Sequence, residues 1–266
     1  MELQDLRYAQ DGHIATITLD RPTSSNAYSM EMIASIERAF DQAQHDPEVR
    51  VVILTGSGKS FSAGGDVKAM RDKSGMFEGG PGALRNRYLA DIHRVPKRLD
   101  RFDKPVVAAI NGHAIGAGLD LTCMCDIRIA ARGARFGSTF VKLGLVPGDG
   151  GAFLLSRVVG FPKALELMLT GRLMDCDEAE QMGLLHAVTE PEALMERARD
   201  KARQIAGNAP MAVQLTRRAC YAAQHMTLDQ ALEAAATYQG IAQNTSDHAE
   251  GVEAMVAKRP PRFEGR

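Results

Sequence analysis

Only four cysteines occur in the 266 residues, and their arrangement excludes most of what cysteine does. Cys123 and Cys125 stand two apart, with Cys176 and Cys220 far along the chain. There is no C-x-x-C and no matching histidine pair, so neither a zinc site nor a disulfide framework is indicated. All four read as small buried hydrophobes in a reducing compartment. Charge of one sign is lacking too: 32 basic residues face 33 acidic ones, and a net charge of −1 supplies no basic face for nucleic acid. Apolar runs are short, and none approaches the length of a bilayer-crossing helix. The N-terminus lacks the charged start, apolar stretch and small-residue cleavage site of a secretory signal. The expectation is a cytoplasmic protein with no metal, no nucleic-acid partner and no membrane partner. Two catalytic motifs are missing as well. Without G-x-x-x-x-G-K-S/T there is no phosphate loop, and Gly64-Gly65-Asp66 breaks the dinucleotide pattern. Ser24, Ser25 and Ser62 have no G-x-S-x-G around them, which disfavours a serine hydrolase.

What is present is a regular succession of short β-rich and helical stretches. Residues 13–19 alternate apolar and polar side chains, as a half-buried strand does. Residues 51–56, 105–110 and 127–130 are continuous apolar runs, which suit strands covered on both faces. Between 13–19 and 51–56, Met32, Ile33, Ile36 and Phe40 recur at helical spacing within 30–44. This is an α/β chain of sequential strand–helix units. After about Leu155 helices dominate, at 164–169, 193–206, 211–223 and 228–242, the last with Thr227 as N-cap and Gln230 three residues on. A core domain over 1–200 and a C-terminal helical region over 201–266 follow. The glycine-rich segment 74–82 reads as a mobile loop, either a lid or an ordinary surface excursion.

Two glycine-rich turns carry the chemistry. Ser60-Phe61-Ser62-Ala63-Gly64-Gly65-Asp66-Val67-Lys68 leaves the strand region near Val51, and Asn111-Gly112-His113-Ala114-Ile115-Gly116-Ala117-Gly118 leaves the strand ending at Ile110. Small residues there let the backbone approach a ligand closely. The second turn leads into an apolar stretch, Leu119 to Cys125, that suits a buried helix. Unpaired N–H groups at such a helix start favour a developing oxyanion.

Together the two turns resemble the crotonase superfamily, the enoyl-CoA hydratases and isomerases. Ser62 to Lys68 is similar to its A-G-x-D-[LIV] turn, and Ile110 to Gly118 followed by Cys125-Asp126-Ile127-Arg128-Ile129-Ala130 to its second signature. Phe136-Gly137, Leu143-Gly144-Leu145-Val146-Pro147, Leu169-Thr170-Gly171 and Glu178-Ala179 before Gly183-Leu184 follow in the family's order, as does the tail from Lys258 to Phe263. The resemblance implies a spiral of β/β/α units with a C-terminal helical region, assembled as homotrimers or dimers of trimers. It implies an acyl-CoA substrate and no cofactor, coenzyme A being part of the substrate. The oxyanion donors would be the N–H groups of Gly65 and Ala117, each worth about 3 kcal/mol in the transition state. Ala63, Asp66, Val67 and Lys68 match positions lining the coenzyme A site. Lys258 and Arg259 match a basic tail that reaches the ligand's phosphates, or stand as a solvated charged end.

The family's hydratases carry two glutamates, and here both differ. Asp120 occupies the first position and is shorter by one methylene, roughly 1.5 Å of reach. Phe140 occupies the second and cannot move a proton. Relatives that shift double bonds keep an aromatic residue there and place an acid in the following turn. Asp149 is such an acid, although it stands one residue later than the usual position after the proline, and it also fits a helix N-terminus. Hydration benefits from two proton-transfer groups, whereas a 1,3 proton shift needs one. Isomerisation of a 3-enoyl to a 2-enoyl thioester therefore fits one or two aspartates better, with hydration by Asp120 and Asp149 the other expectation. His93 and His113 read as packed or surface residues, and Arg85 and Arg87 as a solvated helix face. Other thioester chemistry on the same scaffold (hydrolysis, dehalogenation or decarboxylation) stays open, as does a non-catalytic acyl-CoA binder.

Overall fold

The computed structural model describes residues 3–266. Strands β1 (Leu6–Asp11) and β2 (Ile14–Leu19) form a hairpin, and helix α1 (Met30–His45) follows, with Ser29 accepting the Met32 N–H as its N-cap. Three strand–strand–helix turns come next. The first is β3 (Val51–Gly56), β4 (Ser60–Ser62) and α2 (Val67–Asp72). Helices α3 (Pro81–Arg87) and α4 (Arg94–Asp100) intervene, joined by a π-helical turn over Tyr88–Ile92. The second turn is β5 (Val106–Ile110), β6 (His113–Ile115) and α5 (Ala117–Cys123). The third is β7 (Ile127–Ala131), β8 (Phe136–Gly137) and α6 (Gly151–Val159).

Each turn places its first strand in one sheet and its second in another. The larger sheet runs β1-β2-β3-β5-β7-β9, closed by β9 (Ala187–Thr189), and the smaller runs β4-β6-β8. Apart from the β1–β2 hairpin, every pairing in both sheets is parallel. This is the expected spiral. The continuous apolar strands follow from it, because both faces of the larger sheet are covered. Val52, Leu54, Val106, Ala108 and Ala130 face the main core. Val51, Ile53, Val107, Ala109, Ile129 and Ala131 face helix α9 (Leu194–Ala206), which meets them with Leu194, Ala198, Ala202 and Ala206. That i, i+4 row of small side chains lets the helix axis lie close to the sheet.

Helices α7 (Phe161–Thr170) and α8 (Cys176–Gln181) lie between α6 and β9. The chain ends in α10 (Pro210–Ala223), α11 (Leu228–Gln243) and α12 (Ser246–Val256). The capping box at Thr227 and Gln230 forms as the sequence predicts. Arg217 on α10 fastens this region to the core through Asp126 (2.9 Å) and the Phe102 carbonyl. Arg50 adds a bond to the Phe263 carbonyl (2.8 Å).

Three expectations need correction. Segment 74–82 is not free loop throughout, because it contains a short 3-10 turn, buries Met76, and starts α3 at Pro81. Arg87 is not a solvated side chain: its guanidinium bonds the carbonyls of Met76 (3.0 Å) and Glu78 (2.7 Å) and so pins that segment. Cys123, Cys125 and Cys176 are buried, whereas Cys220 lies exposed on α10.

Candidate active site

The two glycine-rich turns meet. Ser62 Oγ donates to the Asn26 carbonyl (2.8 Å) and accepts the Gly64 N–H (3.1 Å), and the Tyr28 N–H donates to the Gly64 carbonyl (2.7 Å). Gly64 has φ +77°, and a Cβ there would fall 2.6 Å from the Ile115 carbonyl oxygen and 2.7 Å from the Ala117 nitrogen. Only glycine permits that approach. Gly118 is equally constrained, since its Cβ would lie 2.1 Å from the Ser62 carbonyl oxygen. Among the described residues, neither the Gly65 nor the Ala117 N–H has an acceptor. Ala117 opens α5, so its N–H lies at the positive end of that helix. Two unpaired donors from neighbouring turns can together hold one oxygen as it gains negative charge.

Helix α5 is buried along its whole length and carries Asp120 in its first turn. Asp120 is 0% exposed and Asp149 3%, and the two carboxyls lie within hydrogen-bonding reach of each other. Neither oxygen of Asp120, nor Oδ2 of Asp149, meets a donor elsewhere in the described chain. Two ionised carboxylates cannot bond each other, so the bond this geometry offers is one shared proton. Burial, then the neighbouring Asp149 charge, holds the Asp120 pKa well above the ordinary carboxylate range. Burial also raises that of Asp149, but its bond to Asp120, a backbone N–H and His93 all oppose the rise. The two carboxyls therefore titrate as a pair, with one proton shared between them over the range in which a single carboxyl has ionised. Gly151, the first residue of α6, makes room for the pair: its Cβ would fall 2.3 Å from Asp120 Oδ1.

Aromatic side chains close the site. The Phe140 ring lies 3.6–4.0 Å from where a Cβ of Gly116 would be, over the start of α5. Phe77 and the Met70 methyl lie against Gly65. The Tyr28 hydroxyl is buried without a partner and feels the charges of Asp149 and Asp120.

A fold and a backbone arrangement of this kind have well-defined counterparts. The profile of the family described as Enoyl-CoA hydratase/isomerase matches residues 9–266. The chain belongs to the enoyl-CoA hydratase/isomerase family. It is 37% identical to the short-chain-enoyl-CoA hydratase of Clostridium acetobutylicum, with 97% of each chain covered. It is 36% identical to the 1,2-epoxyphenylacetyl-CoA isomerase of Escherichia coli, with 95% of each covered. Among solved structures, the enoyl-CoA hydratase of Bacillus anthracis superimposes with a TM-score of 0.93 at 32% identity, covering 99% of this chain and 100% of that one.

Within this hydratase/isomerase framework the remaining site residues find their places. Asp66 caps α2, accepting the N–H groups of Lys68 (3.0 Å) and Ala69 (3.2 Å), and pairs with Arg21 at 3.3 Å. The Ala69 N–H above all, with help from Arg21 and against some burial, holds its carboxyl below the usual range. Ala63 is half-buried beside the turn, while Val67 and Lys68 are exposed on α2. Arg259 makes a bidentate pair with Glu250 (2.6 and 2.8 Å), and Lys258 sits at the end of α12 with φ +52°. His113 is exposed on β6. His93 is packed, one of the two places its sequence reading allowed, and its Nε2 lies 2.8 Å from the Gly148 carbonyl oxygen, one residue before Asp149. Sequence reasoning also passed over Arg21, Tyr28 and Tyr88, none of which belongs to a readable motif. No helix among the described residues is long and apolar enough to cross a membrane.

Proposed function

We propose that the protein hydrates a 2-enoyl-CoA thioester, using Asp120 and Asp149 as a proton-sharing pair in place of two glutamates. The observation that carries this reading is the direct juxtaposition of the two buried carboxyls, which can hold one proton between them. The thioester oxygen accepts the N–H groups of Gly65 and Ala117. Water lies against the carboxyls, and ionised Asp149 takes its proton as the oxygen bonds to C3. The C2=C3 electron pair moves toward the thioester and forms an enolate at the oxyanion donors. Asp120 then delivers its proton to C2, the enolate collapses, and the 3-hydroxyacyl thioester results. The cycle leaves Asp149 protonated and Asp120 ionised, and their mutual contact lets the proton return.

Every atom comes from water or substrate, so the reaction calls for no cofactor or metal. Ala63, Val67 and Lys68 flank the coenzyme A path, with Asp66 shaping it as the cap of α2. Lys258 and Arg259 belong to this reading as phosphate contacts, Arg259 only once its pair with Glu250 opens. A cytoplasmic homotrimer, or a pair of trimers, is the assembly we propose.

Assays with 2-enoyl-CoA and 3-enoyl-CoA in parallel test the reading. Asp120→Asn and Asp149→Asn should each lower hydration about 100- to 10,000-fold while leaving binding of the thioester largely intact. Phe140 favours a second reading, double-bond isomerisation, because it removes the acid from the strand-side position. Turnover of 3-enoyl-CoA without hydration, dependent on one aspartate alone, would replace the first reading by the second.

A further inference from the structure

The turn that carries Asp149 is held from outside by one stretch of chain. His93 and Tyr88 both press on Gly148: the imidazole Nε2 is 2.8 Å from its carbonyl oxygen, and a Cβ at 148 would lie 2.7 Å from the Tyr88 ring. A carbonyl only accepts, so Nε2 carries the proton. On an α-helix, residues five apart point about 140° away from each other. Here the wider π-helical turn brings them together, closed by the His93 N–H on the Tyr88 carbonyl at 2.9 Å. Tyr88 and His93 meet edge to face with ring centroids 5.9 Å apart. The same stretch begins at Phe77, which lies against Gly65.

We propose that His93 is a positioning residue for Asp149, its Nε2–H fixing the Gly148 carbonyl so that the next residue's carboxyl is held against Asp120. It touches neither reacting atoms nor the thioester, and acts through the peptide it holds. The inference rests on the carboxyl pair of the proposed hydration. The groups facing Asp149 are Asp120 from α5, Tyr28 from the segment before α1, and Tyr88 and His93 from the π-helical turn. Of these, only His93 can bring a positive charge.

The test compares His93→Leu with His93→Gln, whose side-chain amide keeps a donor near the position of Nε2. On whichever enoyl-CoA the enzyme turns over, His93→Leu should lower kcat about 100-fold with KM changed less than about threefold, and His93→Gln should recover most of kcat. In parallel, the carboxyl ¹³C resonance of Asp149, identified by its loss in Asp149→Asn, should titrate at higher pH in both variants, because each lacks the imidazolium. That resonance should stay single in His93→Gln and broaden or split in His93→Leu. Should His93→Leu fail to fold, His93→Asn, whose donor stops short of Gly148, takes its place. Equal loss of kcat in both variants, or an undisturbed Asp149 resonance in His93→Leu, overturns the proposal. If no enoyl-CoA reacts with the wild-type protein, the hydration reading fails while the resonance still decides the role of His93.

Discussion

Asp120 shows how a single residue can be kept against its own physical preference. A carboxyl with no protein donor at either oxygen, fully out of water, resists ionisation. Its pKa is raised in the folded state, so relative stability is greatest below the unfolded value near 3.8 and falls as pH climbs toward the folded one. The cost at neutral pH is about 1.4 kcal/mol for each unit by which the pKa is raised. Asp120→Asn has no proton to lose, and its amide can donate to Asp149. Thermal melts across pH should therefore show the variant gaining stability over wild type near neutrality, with the gain shrinking as pH falls to 4 and below. A gain independent of pH would mean that Asp120 is not the burdened member of the pair. Gly151 sets the companion limit, because any side chain there would occupy the space of the Asp120 carboxyl.

At the scale of elements, the parallel strands pack through α9, whose Ala198, Ala202 and Ala206 leave no room for larger side chains against Val51, Val107 and Ile129. Ala202→Leu should destabilise by about 1–3 kcal/mol, seen as a lower midpoint in urea with an unchanged slope, since Ala202 is fully buried against the sheet and the added atoms must displace its neighbours. The same elements show what a single sequence discloses. Strands β3, β5 and β7 were legible because burial on both faces leaves an unbroken apolar run. Helix α1 was legible because burial on one face leaves a 3.6-residue rhythm. The two glycine-rich turns were legible because close backbone approach demands glycine at Gly64 and Gly118. Asp149 was only half legible: its place in a turn could be read, but its direction depends on how Gly150 (φ +100°) sets the start of α6. Tyr88 and His93 left no pattern at all, since a π-helical turn interrupts the very period by which a helix face is recognised.

At the scale of the whole molecule, the apolar surface left uncovered is unevenly spread. Leu228, Leu232, Val252, Met255 and Val256 are exposed on the last two helices, Met255 at 81%. Leu143, Val146, Phe161 and Leu169 form a second exposed group in and around α7. In the proposed assembly, side chains of this kind are ones that a further copy of the chain would cover. The proposed homotrimer predicts that light scattering on the purified protein gives a mass in multiples of three chains, and that Met255→Asp shifts it toward smaller species. A wild-type monomer would overturn that assembly and leave the site chemistry untouched.

In the proposed reaction the two N–H groups that meet the growing charge belong to peptide bonds, one at a glycine and one at a residue that is already alanine. An alanine scan of this enzyme would therefore pass over its electrostatic centre in silence at Ala117, and at Gly65 would report the bulk of an added methyl. The functional map drawn from side-chain truncation would be a map of the acids and their supports alone. Reading the other half requires changing the backbone itself, for instance by an ester in place of the amide at Ala117, which removes one hydrogen and keeps every side chain. It also follows that side chains around this centre are free to be exchanged, carboxyls among them, without touching the part that polarises the thioester.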